Sequence, residues 1–129
     1  MPDRFSPDSL EILYRDDDLV AIDKPAGLLV HRSEYGRGNE VFALQLTRDA
    51  IGQRVYPVHR LDRPTSGVLV FALSSEMARR LSEQFQGRSV EKRYLAVVRG
   101  FAPEEGCIDS PMVEKDGRGQ PLDKPAQEA

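Results

Sequence analysis

The chain has 129 residues, of which 40% are hydrophobic and 30% are charged. This composition is typical of one globular domain, and it fits neither a wholly disordered chain nor a membrane protein. The longest uninterrupted apolar run, residues 68–73, is too short to cross a bilayer. The first residues lack the apolar segment of a secretory signal, so we expect a cytoplasmic protein.

The net charge of −3 conceals an uneven distribution. Residues 54–99 contain nine Lys and Arg against four acidic residues, a local balance of +5. Such a basic segment can bind nucleic acid, although Arg and Lys on helix faces more often only interact with solvent. Charge alone therefore leaves both interpretations open.

The first half of the chain predicts a hairpin and a helix. Apolar runs at 11–14 and 19–23, separated by an Arg-Asp-Asp-Asp cluster, predict two paired strands. Residues 28–31 then predict a short extended segment. From Asn39, a suitable N-cap, apolar positions recur every three or four residues until Gly52, which predicts an amphipathic helix.

In the second half of the chain the predicted strands and helices alternate less regularly. Residues 67–73 form an apolar run without polar alternation, as expected for a strand buried on both faces. Residues 114–129 contain one large apolar residue, which predicts a disordered tail. Because strands and helices do not alternate strictly, we expect an α+β fold with a mixed, mainly antiparallel sheet and flanking helices. The other predicted elements are strands at 55–58, 94–98 and 107–112, and a helix from Ser74 or Ser75 to Gly87.

The densest cluster of reactive groups is the sequence His-Arg-Leu-Asp-Arg-Pro-Thr-Ser-Gly at residues 59–67. It lies between two predicted strands, and a loop held by rigid elements is a usual place for catalytic groups. The arginines beside Asp62 favour its ionised carboxylate, which suits a nucleophile or a base. Alternatively, Asp62 and Thr65 only cap a turn. Arg60 and Arg63 would then pair with surface acids.

Residues 59–70 resemble the signature of the RluA-type family of RNA pseudouridine synthases, in which the aspartate of the His-Arg-Leu-Asp core is catalytic. Residues 12–31 resemble the opening hairpin and Lys-Pro-x-Gly segment of that family, and residues 92–100 resemble its Lys-x-Tyr strand. The resemblance implies a pseudouridine synthase-like fold. It divides the chain into an N-terminal extension (1–8), the N-terminal portion of the catalytic domain (9–113) and the polar tail (114–129).

The resemblance also implies the reaction and the roles of individual residues. The expected substrate is RNA, and the expected kind of RNA is tRNA. The expected target is uridine-65, in the acceptor and T-arm region. Asp62 would attack C1′ of the sugar or C6 of the base, while Tyr94 would support the uracil and take up the C5 proton. The stacked uridine must be extruded, and Arg60 would brace the vacated space. The expected RNA-binding residues are His59, Arg60, Arg63, Thr65, Arg79, Arg80, Lys92 and Arg93. His59 would either contact a phosphate or pack beneath the loop.

Members of the family also carry an Arg-x-His-Gln-Leu/Ile-Arg motif whose arginine pairs with the catalytic aspartate, and this sequence does not contain it. We therefore expect the C-terminal part of the catalytic domain to be missing, and the chain alone to be inactive and marginally folded. Two alternatives to an active isomerase are a catalytically inactive RNA-binding remnant and a half domain that requires a partner. No metal, organic cofactor or membrane is an expected partner, because the isomerisation is redox-neutral and the sequence has no ligand cluster.

Overall fold

The structure is a computed structural model that describes residues 5–31, 41–112 and 127–128. By its internal contacts the chain divides into two compact units, Met1–Lys92 and Arg93–Ala129. The first unit opens with a one-turn 3₁₀ helix, Pro7–Ser9, which Ser6 caps through its side chain. The predicted domain boundary at 113 lies outside the described residues.

A four-stranded antiparallel sheet forms the centre of the first unit. Its strands are β1 (Glu11–Arg15), β2 (Leu19–Lys24), β3 (Tyr56–Pro57) and β4 (Gly67–Ala72), in the spatial order β1-β2-β4-β3. The predicted hairpin is β1 and β2. Its turn is closed by the Asp16 carboxylate, which accepts from the backbone N–H groups of Asp18 at 2.8 Å and Leu19 at 2.9 Å. The prediction of an α+β fold with a mainly antiparallel sheet is confirmed.

The hydrophobic core covers one face of this sheet. Val20 and Ile22 of β2 lie opposite Phe71 and Leu69 of β4, and none of the four has exposed surface. Alternate residues of a strand share a face, so these four side chains project to the same side of the sheet. The helix α1 (Ala43–Ile51) packs there. The cluster is completed by Leu28, Val30, Ala43, Leu46, Val55 and Leu61.

Helix α1 begins at Ala43, later than an N-cap at Asn39 predicts. Asn39 itself lies outside the described residues. Phe42 is the N-cap, and it forms an isolated parallel bridge with Leu29 in the predicted extended segment. The backbone carbonyls of Leu29 and its successor accept from the first two helical N–H groups, at 2.7 and 2.9 Å. Since these carbonyls satisfy N–H groups that a helix start leaves free, the strand-like pairing sets where the helix begins.

Strand β4 is buried along its length on one face only, so the prediction of burial on both faces is wrong for the first part of the strand. Leu69 and Phe71 are fully buried, whereas on the other face Val68 is 59% exposed, Val70 is half-buried and only Ala72 is fully buried. An apolar run without alternation does not distinguish the two cases. In this antiparallel sheet the core packs against the face that carries Leu69 and Phe71, which leaves the other face less covered.

Helix α2 (Ser75–Gln86) follows β4 and contacts both β4 and β3. Ser74 is its N-cap, since the Ser74 hydroxyl accepts from the N–H of Met77 at 3.1 Å. Gly87 ends the helix, as predicted. The helix has no fully buried residue, so it lies at the margin of the core. Within residues 5–31 and 41–112, no helix has the length and apolar character that crossing a membrane requires.

The described residues of the second unit form little regular structure. Residues 94–98 are irregular, so the strand predicted there is not formed, and Leu95 and Val97 are fully exposed. A strand needs a neighbour for its backbone hydrogen bonds, and the described part of this unit gives residues 94–98 none. The strand predicted at 107–112 is reduced to β5 (Pro111–Met112), which pairs with β6 (Gln127–Glu128). The rest of the predicted disordered tail lies outside the described residues.

Candidate active site

The loop between β3 and β4, residues 58–66, presents Asp62 to solvent. Leu61 anchors the loop because its side chain is buried in the core, with 6% of its surface exposed. The flanking residues Arg60 and Asp62 are exposed. The N–H of Thr65 donates to the carbonyl of Asp62 at 2.9 Å, which closes a turn around the aspartate. The loop thus combines a fixed backbone with an accessible carboxylate.

A second segment, residues 24–28, holds this loop through reciprocal hydrogen bonds. The N–H of Gly27 donates to the carbonyl of Arg63 at 2.7 Å, and the Nε of Arg63 donates to the carbonyl of Gly27 at 3.1 Å. Gly27 has φ of 94°, a region that residues with a side chain rarely adopt. Glycine is therefore the residue that lets the two segments approach at this point.

Lys24 adds a third connection between the two segments. Its side chain is fully buried, and Nζ donates to the carbonyls of Pro25 at 3.0 Å, Leu28 at 2.6 Å and Arg63 at 3.1 Å. These three bonds use all three protons of the ammonium group. Burial lowers the pKa of Lys24, and the positive charge of Arg63 lowers it further, while the negative charge of Asp62 acts in the opposite direction.

The resemblance at residues 12–31 includes Lys24 as part of a motif, but it does not predict the structural role of this lysine. A signal was available, because Val20, Ile22 and Lys24 alternate along β2 and strand periodicity places them on one face. A lysine on the same face as two core residues has to be buried with hydrogen-bond partners. The identity of those partners comes only from the fold, since Arg63 lies 39 residues away in the sequence.

His59 makes one hydrogen bond and one stacking contact. Its Nε2 accepts from the backbone N–H of Val70 at 2.9 Å, and its ring stacks on Phe85 of α2 with centroids 4.4 Å apart. Burial lowers the pKa of His59, and the charge of Lys92 lowers it further. A neutral ring that accepts at Nε2 carries its proton on Nδ1. Of the two roles considered for His59, these contacts favour packing beneath the loop.

The remaining predicted RNA-binding residues are exposed, with the exception of half-buried Thr65. Arg79 forms an ion pair with Glu83 at 3.0 Å on the surface of α2, where both side chains are mostly exposed. Arg80 follows it on the same helix. Tyr94 is 61% exposed and belongs to the second unit, so the two predicted catalytic residues lie in different units. The exposed cations among the predicted residues are Arg60, Arg63, Arg79, Arg80, Lys92 and Arg93.

Across the described ranges, no three acidic, histidine or cysteine side chains lie close enough together to hold a metal ion. Cys107 is a free, exposed thiol.

Comparison with known proteins places the chain in a family. The model of the RNA pseudouridylate synthase family matches residues 18–128, and the chain belongs to that family. The match extends through most of the polar segment that the resemblance had left outside. It confirms the family inferred from the loop at 59–70.

Two curated relatives share one name, tRNA pseudouridine synthase C. The chain is 63% identical over 103 residues to the tRNA pseudouridine synthase C of Haemophilus ducreyi, which includes 80% of this chain and 42% of that protein. It is 51% identical over 129 residues to the tRNA pseudouridine synthase C of Vibrio parahaemolyticus, which includes 97% of this chain and 52% of that protein. The chain thus spans about half the length of these curated relatives.

A solved structure agrees with the fold. Human RNA Pseudouridylate Synthase Domain Containing 4 superposes with a TM-score of 0.62 and 30% sequence identity. The superposition covers 92% of this chain and 50% of the human chain. The antiparallel sheet and its two helices are therefore part of a pseudouridine synthase fold.

Proposed function

We propose that this chain carries the catalytic aspartate of an RNA pseudouridine synthase that isomerises a uridine in the acceptor and T-arm region of tRNA. The observation that carries the proposal is an exposed Asp62 carboxylate on a loop that Lys24, Gly27 and Leu61 hold in place. Two relatives named tRNA pseudouridine synthase C support tRNA as the substrate. Because tRNA is the proposed substrate, the compartment that we expect for the protein is the cytoplasm.

The reaction needs a positioned carboxylate more than any external reagent. The N1–C1′ bond of the uridine breaks, a C5–C1′ bond forms, the C5 proton leaves and N1 gains a proton. Asp62 acts as the nucleophile in one of two ways: at C1′ of the sugar it displaces N1 and is then displaced by C5, or at C6 of the base it adds and is eliminated after the C5–C1′ bond has formed. Because the surrounding loop is already fixed, little reorganisation is required when the substrate binds. Tyr94 is the proposed support for the uracil and the base for the C5 proton.

RNA binding supplies the energy that extrudes the uridine. Unstacking and unpairing a base costs on the order of a few kcal/mol. Arg60 lies two residues before Asp62 with an exposed guanidinium, a planar group that suits stacking in the vacated space. Arg80 and Lys92 are exposed cations that suit phosphate contacts. Helix α2 and the loop together would therefore hold the RNA around the target.

A second candidate function is RNA binding without catalysis. The observation that favours it is the irregular, exposed segment around Tyr94, in which the predicted strand is not formed. A phenol that is not held in place cannot act reliably as a base. This candidate predicts salt-dependent RNA binding with no uridine conversion.

The test is carbodiimide labelling of tRNA after incubation, which distinguishes pseudouridine from uridine although the two isomers have the same mass. It is run with the chain alone and with a chimera in which this chain replaces the matching part of the Haemophilus ducreyi synthase, since the chain spans 42% of that protein. We expect the chimera to convert tRNA. We expect no conversion by the chain alone, because the segment around Tyr94 is irregular and exposed.

Asp62→Asn in the chimera should abolish turnover while RNA affinity stays within about tenfold, or about 1.4 kcal/mol. The amide keeps the shape of the side chain but is not a nucleophile. Asp17→Asn is the matched control, because Asp17 is an exposed aspartate in the β1–β2 turn, and it should retain full activity. Near-normal turnover by Asp62→Asn would show that Asp62 only closes a turn. Tight RNA binding by the chimera without conversion would favour the second candidate.

A further inference from the structure

The turn that ends helix α2 holds an arginine in an unusual backbone conformation. Among the residues that the structure describes, Arg88 is the one non-glycine residue with a positive φ, 59°. This left-handed region is unfavourable for any residue with a Cβ, because the Cβ crowds the following carbonyl oxygen. The side chain of Arg88 is exposed, so packing in the core does not explain why an arginine stands there.

The hydrogen bonds of the turn explain why this position is left-handed. The N–H of Arg88 donates to the carbonyl of Phe85 at 3.3 Å, and the N–H of Ser89 donates to the carbonyl of Gln84 at 3.2 Å. These are the two bonds of the Schellman motif, in which the left-handed residue is usually glycine and sometimes asparagine. The turn does contain a glycine, but this is Gly87, one residue earlier, with φ of −77°. An arginine therefore occupies the position that favours glycine.

Stability is a poor explanation for this arginine. A positive charge at a helix C-terminus interacts favourably with the last carbonyls. Helix α2 has no basic residue in its last turn, where the same benefit would require no left-handed backbone. An ion pair on the surface would contribute little to stability, because solvent screens it. Strained residues that bring no gain in stability are typical of sites where the side chain serves a ligand.

The turn lies beside the β3–β4 loop, which presents Asp62. Phe85, whose carbonyl accepts from the N–H of Arg88, stacks on His59 with the ring centroids 4.4 Å apart. His59 belongs to that loop and precedes Asp62 by three residues. Lys92 also lies near His59, because its charge lowers the pKa of this histidine. Two exposed cations, Arg88 and Lys92, therefore flank the start of the loop.

We propose that Arg88 binds a backbone phosphate of the RNA close to the target uridine, and that the left-handed turn fixes the backbone from which its guanidinium projects. This inference rests on the proposed function, because it takes RNA as the partner. A guanidinium group can donate two parallel hydrogen bonds to one phosphate, and a rigid base reduces the freedom lost on binding. The RNA-binding residues that the family resemblance implies do not include Arg88.

Arg88→Gly tests the proposal, because relief of backbone strain and loss of the guanidinium have opposite consequences. The urea midpoint of the chain should stay the same or rise, since glycine is favoured at this position. In the chimera, tRNA affinity should fall by about threefold to tenfold, and the salt slope on logarithmic axes should decrease by about 0.7–0.9. Arg88→Lys keeps the charge and should keep the slope. Arg48→Ala, on α1, is the control at a distant arginine and should change neither affinity nor slope.

Two outcomes of these measurements would overturn the proposal. Unchanged tRNA affinity and an unchanged salt slope in Arg88→Gly would show that the guanidinium does not contact RNA. A lower urea midpoint in both Arg88→Gly and Arg88→Asn would show that the arginine stabilises the turn, because both replacements tolerate the left-handed backbone.

A second measurement needs no variant. Phenylglyoxal in excess modifies accessible guanidinium groups, and mass spectrometry of peptides reads the modification at each arginine. Saturating tRNA should slow modification of Arg88 in the unaltered chimera by about threefold or more, because a phosphate contact covers the group, and should leave Arg48 unaffected. Equal modification of Arg88 with and without tRNA would overturn the proposal.

Uridine conversion by the same chimera separates this inference from the proposed function. If no uridine is converted while Arg88→Gly still reduces affinity and salt slope, the proposed function fails and the phosphate contact stands. If conversion is normal while Arg88→Gly changes neither quantity, the phosphate contact fails and the proposed function stands. An unaltered chimera that does not bind tRNA would overturn both.

Discussion

Replacing His59 by phenylalanine separates the two contacts that this side chain makes. Phenylalanine keeps a flat ring to stack on Phe85, which lies 4.4 Å from the imidazole with the planes 12° apart. It removes the Nε2 acceptor that the N–H of Val70 donates to at 2.9 Å. His59→Gln is the reciprocal variant, because the amide oxygen can accept while the stacking ring is lost.

The expected loss of stability follows from these contacts. A half-buried N–H left without an acceptor costs about 1–3 kcal/mol, and stacked aromatic rings contribute about 0.5–1.5 kcal/mol. Near pH 7.5 we expect His59→Phe to lose about 1–2 kcal/mol. For a domain of the size of the first unit, Met1–Lys92, each kcal/mol lowers Tm by roughly 4–8 °C, so the shift is readily measured.

The contribution of His59 to the free energy of unfolding depends on pH in a definite direction. The pKa of His59 in the folded chain lies below the ordinary value of 6.5, first because of burial and then because of the charge of Lys92. Just below pH 6.5 the unfolded chain therefore binds a proton that the folded chain does not bind. The contribution of His59 is complete above the unfolded pKa, and it is lost as the pH falls toward the folded pKa.

The assay is urea denaturation of the chain near pH 7.5 and near pH 5.5. The unaltered chain should lose stability toward the lower pH, and His59→Phe should lose less over the same interval. Thr47→Val, which removes a buried hydroxyl but no titratable group, is the matched control and should keep the pH dependence of the unaltered chain. An identical pH dependence in His59→Phe and the unaltered chain would refute the argument, since some other group would then be responsible.

Two further predictions concern the proposed RNA chemistry. The logarithm of RNA affinity should fall roughly linearly with the logarithm of the salt concentration, and Arg80→Ala should reduce the slope by about 0.7–0.9. Arg48→Ala is the control and should not change the slope, because Arg48 lies on α1 and pairs with Asp49. A slope near zero for the unaltered chain would argue against nucleic acid as its partner. Uridine conversion by the chimera should persist in the presence of a chelator, because the isomerisation is redox-neutral. Loss of activity that one particular metal restores would contradict this prediction.

Local patterns in the sequence determined much of the first unit. The hairpin turn needed an acid that could accept backbone hydrogen bonds, and Asp16 does so. Ser74 and Gly87 marked the two ends of α2 because capping depends on neighbouring residues. The motif at 59–67 identified the family through its side chains, without reference to the fold. These features depend on contacts within a few residues, which the sequence contains directly.

Other features required the tertiary structure, because their partners are distant in the sequence. The start of α1 depends on carbonyls in the 29–30 segment, and the strand predicted at 94–98 is not formed because the described part of its unit offers it no neighbour. The exposure of Val68 depends on which face of the sheet the core covers. Apolar periodicity reports the tendency of a segment to be buried or extended, but not which other segment meets it. Lys24 illustrates the limit: strand parity indicates that it is buried, and only the folded chain brings its ammonium group to Arg63, 39 residues away.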